Sequence, residues 1–138
     1  MRPAIFEIAS AFSDGPGLPE EQIRLSAEGE AGREAGAFVL RYREETEGGA
    51  LLCVLRLFGD GSASVERDGA VTARFFLEVG ARRAGRYEVP PCRFPTEVEA
   101  VRIFHEERPE GGEVSLGYRL TIGGADRFCR LSLSYRYC

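Results

Sequence analysis

Apolar and polar residues alternate one by one along most of this chain, and glycine-marked turns cut the alternation into short runs. Val114, Leu116, Tyr118, Leu120 and Ile122 share one parity, while Ser115, Gly117, Arg119 and Thr121 share the other. Cys129, Leu131, Leu133, Tyr135 and Tyr137 then alternate with Arg130, Ser132, Ser134 and Arg136. A period of two sends successive side chains to opposite faces, so each run reads as a strand with one buried face. Gly123, Gly124, Ala125 and Asp126 join the two runs and read as a hairpin turn.

The same grammar holds upstream. Phe38, Leu40 and Tyr42 oppose Arg41 and Arg43, and Val71, Ala73, Phe75, Leu77 and Val79 oppose Thr72, Arg74 and Glu78, with Phe76 breaking the polar face. Ala4, Phe6, Ile8 and Phe12 share a parity, as do Ile23, Leu25 and Ala27. Leu51 to Phe58 is apolar on both parities except at Arg56, the pattern of a strand covered on both faces. Turn signals at Gly48-Gly49, Asp60-Gly61, Asp68-Gly69 and Gly80 recur at intervals of 8 to 12 residues, the spacing of an all-β sandwich or barrel. One short helical turn is expected at Leu18-Pro19-Glu20-Glu21-Gln22, where an early proline meets acidic residues. A strand over Gln22 to Glu28 follows, and Gly29, Gly32 and Gly36 then make a loose hairpin.

The count is about 8–10 strands in one domain spanning 1–138. Runs of this length are long for exposed edges, which invite aggregation, and a sequential meander removes its edges by closing. The expected fold is therefore all-β, a closed or nearly closed antiparallel up-and-down barrel.

Composition removes several functions. All 18 basic residues are arginine, so a lysine Schiff base and a phosphate-loop lysine are both excluded. The formal charge of −4 argues against a dedicated nucleic-acid binder. No apolar run approaches the roughly 20 residues of a membrane-spanning helix, and Glu7 interrupts the first apolar segment, so no secretory signal is read there. The expectation is a cytoplasmic protein without membrane attachment. Cys53, Cys92, Cys129 and Cys138 form no C-x-x-C pair and read as free thiols, with Cys53 in the core. With one histidine and no metal-ligand spacing, neither a cofactor nor a metal is expected, and no catalytic residue is assigned.

Tyr42-Arg43-Glu44-Glu45, Val65-Glu66-Arg67-Asp68-Gly69, Phe76-Leu77-Glu78-Val79-Gly80, Tyr87-Glu88-Val89-Pro90 and Gly111-Gly112-Glu113-Val114-Ser115-Leu116-Gly117-Tyr118 follow one another in an order that resembles the YwiB-like family. These are small bacterial proteins of uncharacterised function. The resemblance runs from about Gly29 to the end and implies a calycin-like (lipocalin-like) β-barrel, with no activity to carry across. The chain departs from it at Pro90-Pro91-Cys92, where the family has a glycine-containing turn with an aromatic.

Parity singles out Glu44 and Arg67. Glu44 shares a face with Phe38, Leu40 and Tyr42, and Arg67 with Ala63 and Val65, so both charges point inward near strand ends. A charge inside a barrel must be paired or hydrated. Two roles fit: a structural ion pair plugging one barrel end, or a polar anchor in which Arg67 holds an anion. Tyr42 and Tyr118 add hydroxyls to the same interior. The ligand-binding set is thus Tyr42, Glu44, Arg67 and Tyr118, in a cavity also lined by Phe38, Leu40, Val65 and Leu120, holding a small, partly apolar molecule. The alternative is a protein- or RNA-interaction module using an outer basic face at Arg82, Arg83, Arg86 and Arg93, with the interior fully packed. His105, flanked by Glu106 and Glu107, reads as a surface residue, and Gly59-Asp60-Gly61-Ser62 as a hairpin turn rather than a phosphate loop.

Overall fold

The computed structural model describes residues 1–15 and 17–138. Ten strands form one closed antiparallel barrel: β1 (Arg2–Ser13), β2 (Glu21–Glu34), β3 (Ala37–Thr46), β4 (Gly49–Phe58), β5 (Ala63–Asp68), β6 (Thr72–Leu77), β7 (Arg82–Val89), β8 (Cys92–Arg108), β9 (Gly111–Ile122) and β10 (Ala125–Tyr137). Each strand pairs with its neighbour in sequence, and β1 pairs with β10 to close the ring. One end carries both termini and the turns after β2, β4, β6 and β8. The other end, called the mouth below, carries the turns after β1, β3, β5, β7 and β9.

The alternating faces become the inside and outside of this wall. Phe6, Leu40, Leu55, Leu77, Leu116 and Leu133 are almost completely buried and belong to one continuous core that fills the barrel. Burying each such side chain contributes about 1.5–3 kcal/mol. Phe38, Leu40, Val65 and Leu120, expected to line a cavity, are members of that packed core. Outside, Ala37, Val39 and Val54 form a second small cluster with Phe58. The doubly apolar β4 is therefore covered on both faces at Val54, but Leu52 remains exposed.

Three local expectations need correction. The segment at Leu18–Gln22 holds no helix among the described residues: Leu18 N–H donates to Gly15 O at 3.1 Å in a turn, and β2 begins at Glu21. Gly29 and Gly32 lie inside β2, which runs on to the turn at Ala35-Gly36. Gly29 is needed for close approach, because a Cβ there would stand 1.9 Å from the Arg41 carbonyl oxygen and 2.8 Å from the Phe6 ring. Val79 lies beyond the end of β6, exposed, and bridges to Ala100.

A further correction concerns His105. The pairing of β8 with β9 shifts between Ala100 and Arg102, leaving Val101 as an extra residue in a β-bulge. Thr96, Val98 and Ala100 are buried before it, and after it the inward parity passes to Ile103 and His105. His105 is therefore half-buried within the barrel end rather than on the surface. The corner after Pro90 is a tight turn with a cis Pro90–Pro91 bond.

Candidate functional site

At the mouth, one cross-strand row brings inward side chains side by side. Tyr42 on β3 faces Cys53 on β4, Cys53 faces Arg67 on β5, Arg67 faces Ala73 on β6, and Ala73 faces Tyr87 on β7. Tyr118 on β9 approaches from the far wall and packs on Phe75, with ring centroids 6.2 Å apart. Glu44 lies one inward step beyond Tyr42, toward the mouth. The four residues singled out from the sequence thus sit at one barrel end, with Arg67 in their midst.

The electrostatics follow from that crowding. Burial works to lower the Arg67 pKa, but Tyr118, Tyr42, Cys53 and Glu44, in that order, hold it above its ordinary value. The guanidinium stays charged at any working pH. Among the described residues, no carboxylate lies within 4.0 Å of it and no side chain hydrogen-bonds to it. The Glu44–Arg67 contact pair allowed by sequence parity is therefore not formed. Glu44 instead accepts a weak hydrogen bond from the Cys53 thiol, with Sγ 3.7 Å from Oε2. Burial pushes the Cys53 thiol up to about 11, which keeps it in the protonated form near neutral pH. Burial likewise raises the Tyr42 and Tyr118 hydroxyls well above the usual phenol range, so both remain donors.

Arg67 is only half-buried, so solvent reaches it. Around it the mouth is rimmed by partly buried apolar side chains packed on the core: Phe12, Leu25, Val71, Tyr87 and Ile122. The arrangement is a fixed cation and two phenols set in an apolar collar. Chemically it can hold an anionic head group. Parity alone could not reveal Cys53 as part of the row, because its cross-strand partners depend on hairpin register.

His105 stacks on Phe38 at 4.6 Å and shares a 2.9 Å hydrogen bond with the Tyr135 hydroxyl at the opposite barrel end. Burial holds its pKa below the ordinary value, with nearby Glu107 opposing and Arg33 reinforcing. Each of the outer arginines lies beside a glutamate. Arg82 approaches Glu97 and Glu99 at 3.5 and 3.6 Å, Arg83 meets Glu78 at 2.6 Å, and Arg86 and Arg93 share Glu88 at 2.8 and 2.7 Å. Gly59–Ser62 is a hairpin turn in which Asp60 accepts from the Ser62 N–H at 2.9 Å. All four cysteines are free. Among the described residues no cluster of three or more His, Cys, Asp or Glu could hold a metal, and no helix is long and apolar enough to cross a membrane.

Comparison with known proteins gives a family and a fold. The model of a domain of unknown function (DUF1934) matches residues 8–133. No curated protein sequence matches significantly. A crystal structure of the ywiB protein from Bacillus subtilis superposes with a TM-score of 0.81 at 18% identity, covering 99% of this chain and 92% of that one. At that identity the likeness is one of fold. The family match spans nearly every strand of the barrel, and the chain belongs to this DUF1934, YwiB-like family of uncharacterised β-barrel proteins.

Proposed function

We propose that the barrel mouth binds a small, partly apolar molecule through an anionic group, with Arg67 as the anchor. The observation that carries this reading is a half-buried guanidinium ringed by Tyr42, Tyr118 and Cys53 with no carboxylate counter-ion among the described residues. A buried or half-buried cation left unpaired is destabilising, and a bound anion removes that penalty. The ligand lies across the mouth instead of running through the barrel, because the core below is filled. Its carboxylate or comparable anion meets Arg67 and the tyrosine hydroxyls, and its apolar part rests on Phe12, Leu25 and Ile122. Glu44, on the same rim, disfavours ligands carrying a second negative charge and favours one with a hydroxyl or amine at that side.

The test is native mass spectrometry of purified protein, with thermal shift against a panel of fatty acids and small carboxylic acids. Expected are a co-purifying or added carboxylate that raises the melting temperature, and loss of that rise in Arg67→Gln. A panel that leaves the wild type unmoved, together with Arg67→Gln changing only stability, would overturn the proposal. The RNA-binding alternative would have to draw the outer arginines away from the glutamates they meet.

A further inference from the structure

The outer wall across β2, β1, β10, β9 and β8 carries a groove of about 470 Å³, continuous with a second of about 390 Å³. Small side chains make its floor: Ala9 and Ala11 on β1, Ser132 and Ser134 on β10, Ser115 and Gly117 on β9. On the β8 side the bulge raises a ridge. Val101 is 67% exposed, Phe104 is 39% exposed, and the Arg102 guanidinium lies 5.3 Å over the Phe104 ring. A ridge beside a hollow on the same face is one half of a self-complementary surface.

Two of the charges lining this face, Arg102 and Glu7, point to the same partner. Among the described residues, Arg102 meets no carboxylate within 4.0 Å and donates only to Ser115 Oγ at 3.1 Å. Glu7 meets no arginine and accepts only from Ser26 Oγ at 2.7 Å. Ser115 and Ser132 are cross-strand partners at the centre of the groove. Arg102 lies one strand beyond Ser115 and two residues toward the mouth; Glu7 lies one strand beyond Ser132 and two residues the other way. Strand spacings of about 4.8 Å and rises of about 3.3 Å put the two roughly 20 Å apart, too far to pair within one chain. They lie on opposite sides of the central serines at matching offsets. A mixed lining of this kind repels a ligand of single sign and suits a partner bearing both signs in reversed order.

We propose that this wall is the interface of a two-fold homodimer, in which Arg102 of each copy pairs with Glu7 of the other. The axis runs diagonally across β9 and β10 at Ser115 and Ser132. That placement forms both Arg102–Glu7 pairs at once and sets each Phe104 near Ser134 of the second copy. A closed two-fold contact of this kind is isologous and self-limiting.

Sedimentation equilibrium on the full chain tests this. The wild type is expected to associate to twice its 15.2 kDa at micromolar concentration. Glu7→Arg and Arg102→Glu each set two like-charge contacts across the axis and should weaken association at least about 100-fold. The double variant restores the pairs in swapped order and should recover dimerisation. A wild type that stays a single chain up to sub-millimolar concentration overturns the proposal. So does a dimer that survives both single reversals, or folded single variants whose combination fails to associate. Should a charge reversal fail to fold, Ser132→Trp fills the groove at its centre and must also give a single chain; a dimer intact in that variant overturns the interface.

Discussion

At the scale of single residues, the inward polar groups are where this barrel departs from a plain apolar core. Arg67 was legible from the sequence because its parity with Ala63 and Val65 is unbroken along β5. His105 was not, because the residue that redirects it, Val101, looks like any other valine. Once turned inward, the imidazole sits against Phe38 and the Tyr135 hydroxyl, where burial favours its neutral form. The folded pKa therefore lies below the unfolded value of about 6.5. The native state then binds fewer protons than the unfolded state between those two values, so the stabilisation is complete above pH 6.5 and is lost as pH falls through the folded value. Urea midpoints measured from pH 7.5 down to 5.5 should fall in the wild type and hold more nearly constant in His105→Gln. An equal slope in both would remove His105 from the account. Tyr135→Phe, which deletes the hydroxyl and keeps the ring, should cost about 0.5–1.5 kcal/mol at neutral pH, read from the same denaturation curves.

At the scale of elements, hairpin order and the inside of β1, β3, β5, β6, β9 and β10 were readable because turns and alternation are local properties. Strand lengths were less so. Gly29 and Gly32 look like loop residues in sequence, but Gly29 is where β2 passes the Arg41 carbonyl and the Phe6 ring with no room for a side chain. Gly29→Ala should accordingly cost several kcal/mol although the strand itself would accept alanine, a contrast visible as a large drop in melting temperature. The β8 bulge makes the opposite prediction. Ala100 opposes Tyr118 and Arg102 opposes Gly117, so removing the intervening Val101 leaves a regular ladder with every other side chain on its present face. Deletion of Val101 should therefore fold, with an unchanged far-ultraviolet circular dichroism spectrum. Deletion of Ser132 from the bulge-free β10 would turn Leu133 and Tyr135 out of the core and should not fold. If both deletions fold equally well, the bulge is not the source of the parity change.

For the whole molecule, closure is the property that neither a residue nor a strand possesses alone. The sequence pointed to it only through length and order of strands; the β1–β10 seam joins residues more than a hundred positions apart, which no local pattern encodes. Interior packing ties that seam to the rest. Phe6 on β1 is fully buried and its ring lies 5.5 Å from Tyr42 on β3 and 6.4 Å from Tyr135 on β10. A single side chain thus joins the closing strand to both sides of the barrel. Phe6→Ala removes the ring from a filled core, with a cost of about 3–5 kcal/mol from lost burial and the cavity left behind. That is a large fraction of the roughly 5–15 kcal/mol by which domains are stable. Because every strand has two neighbours, opening the seam exposes two edges and leaves no smaller closed sheet to fall back on. The variant should therefore lose secondary structure and tyrosine environment together, as one transition at lower denaturant. Two separated transitions, with sheet signal outlasting the tyrosine signal, would show that the wall can stand without its closure.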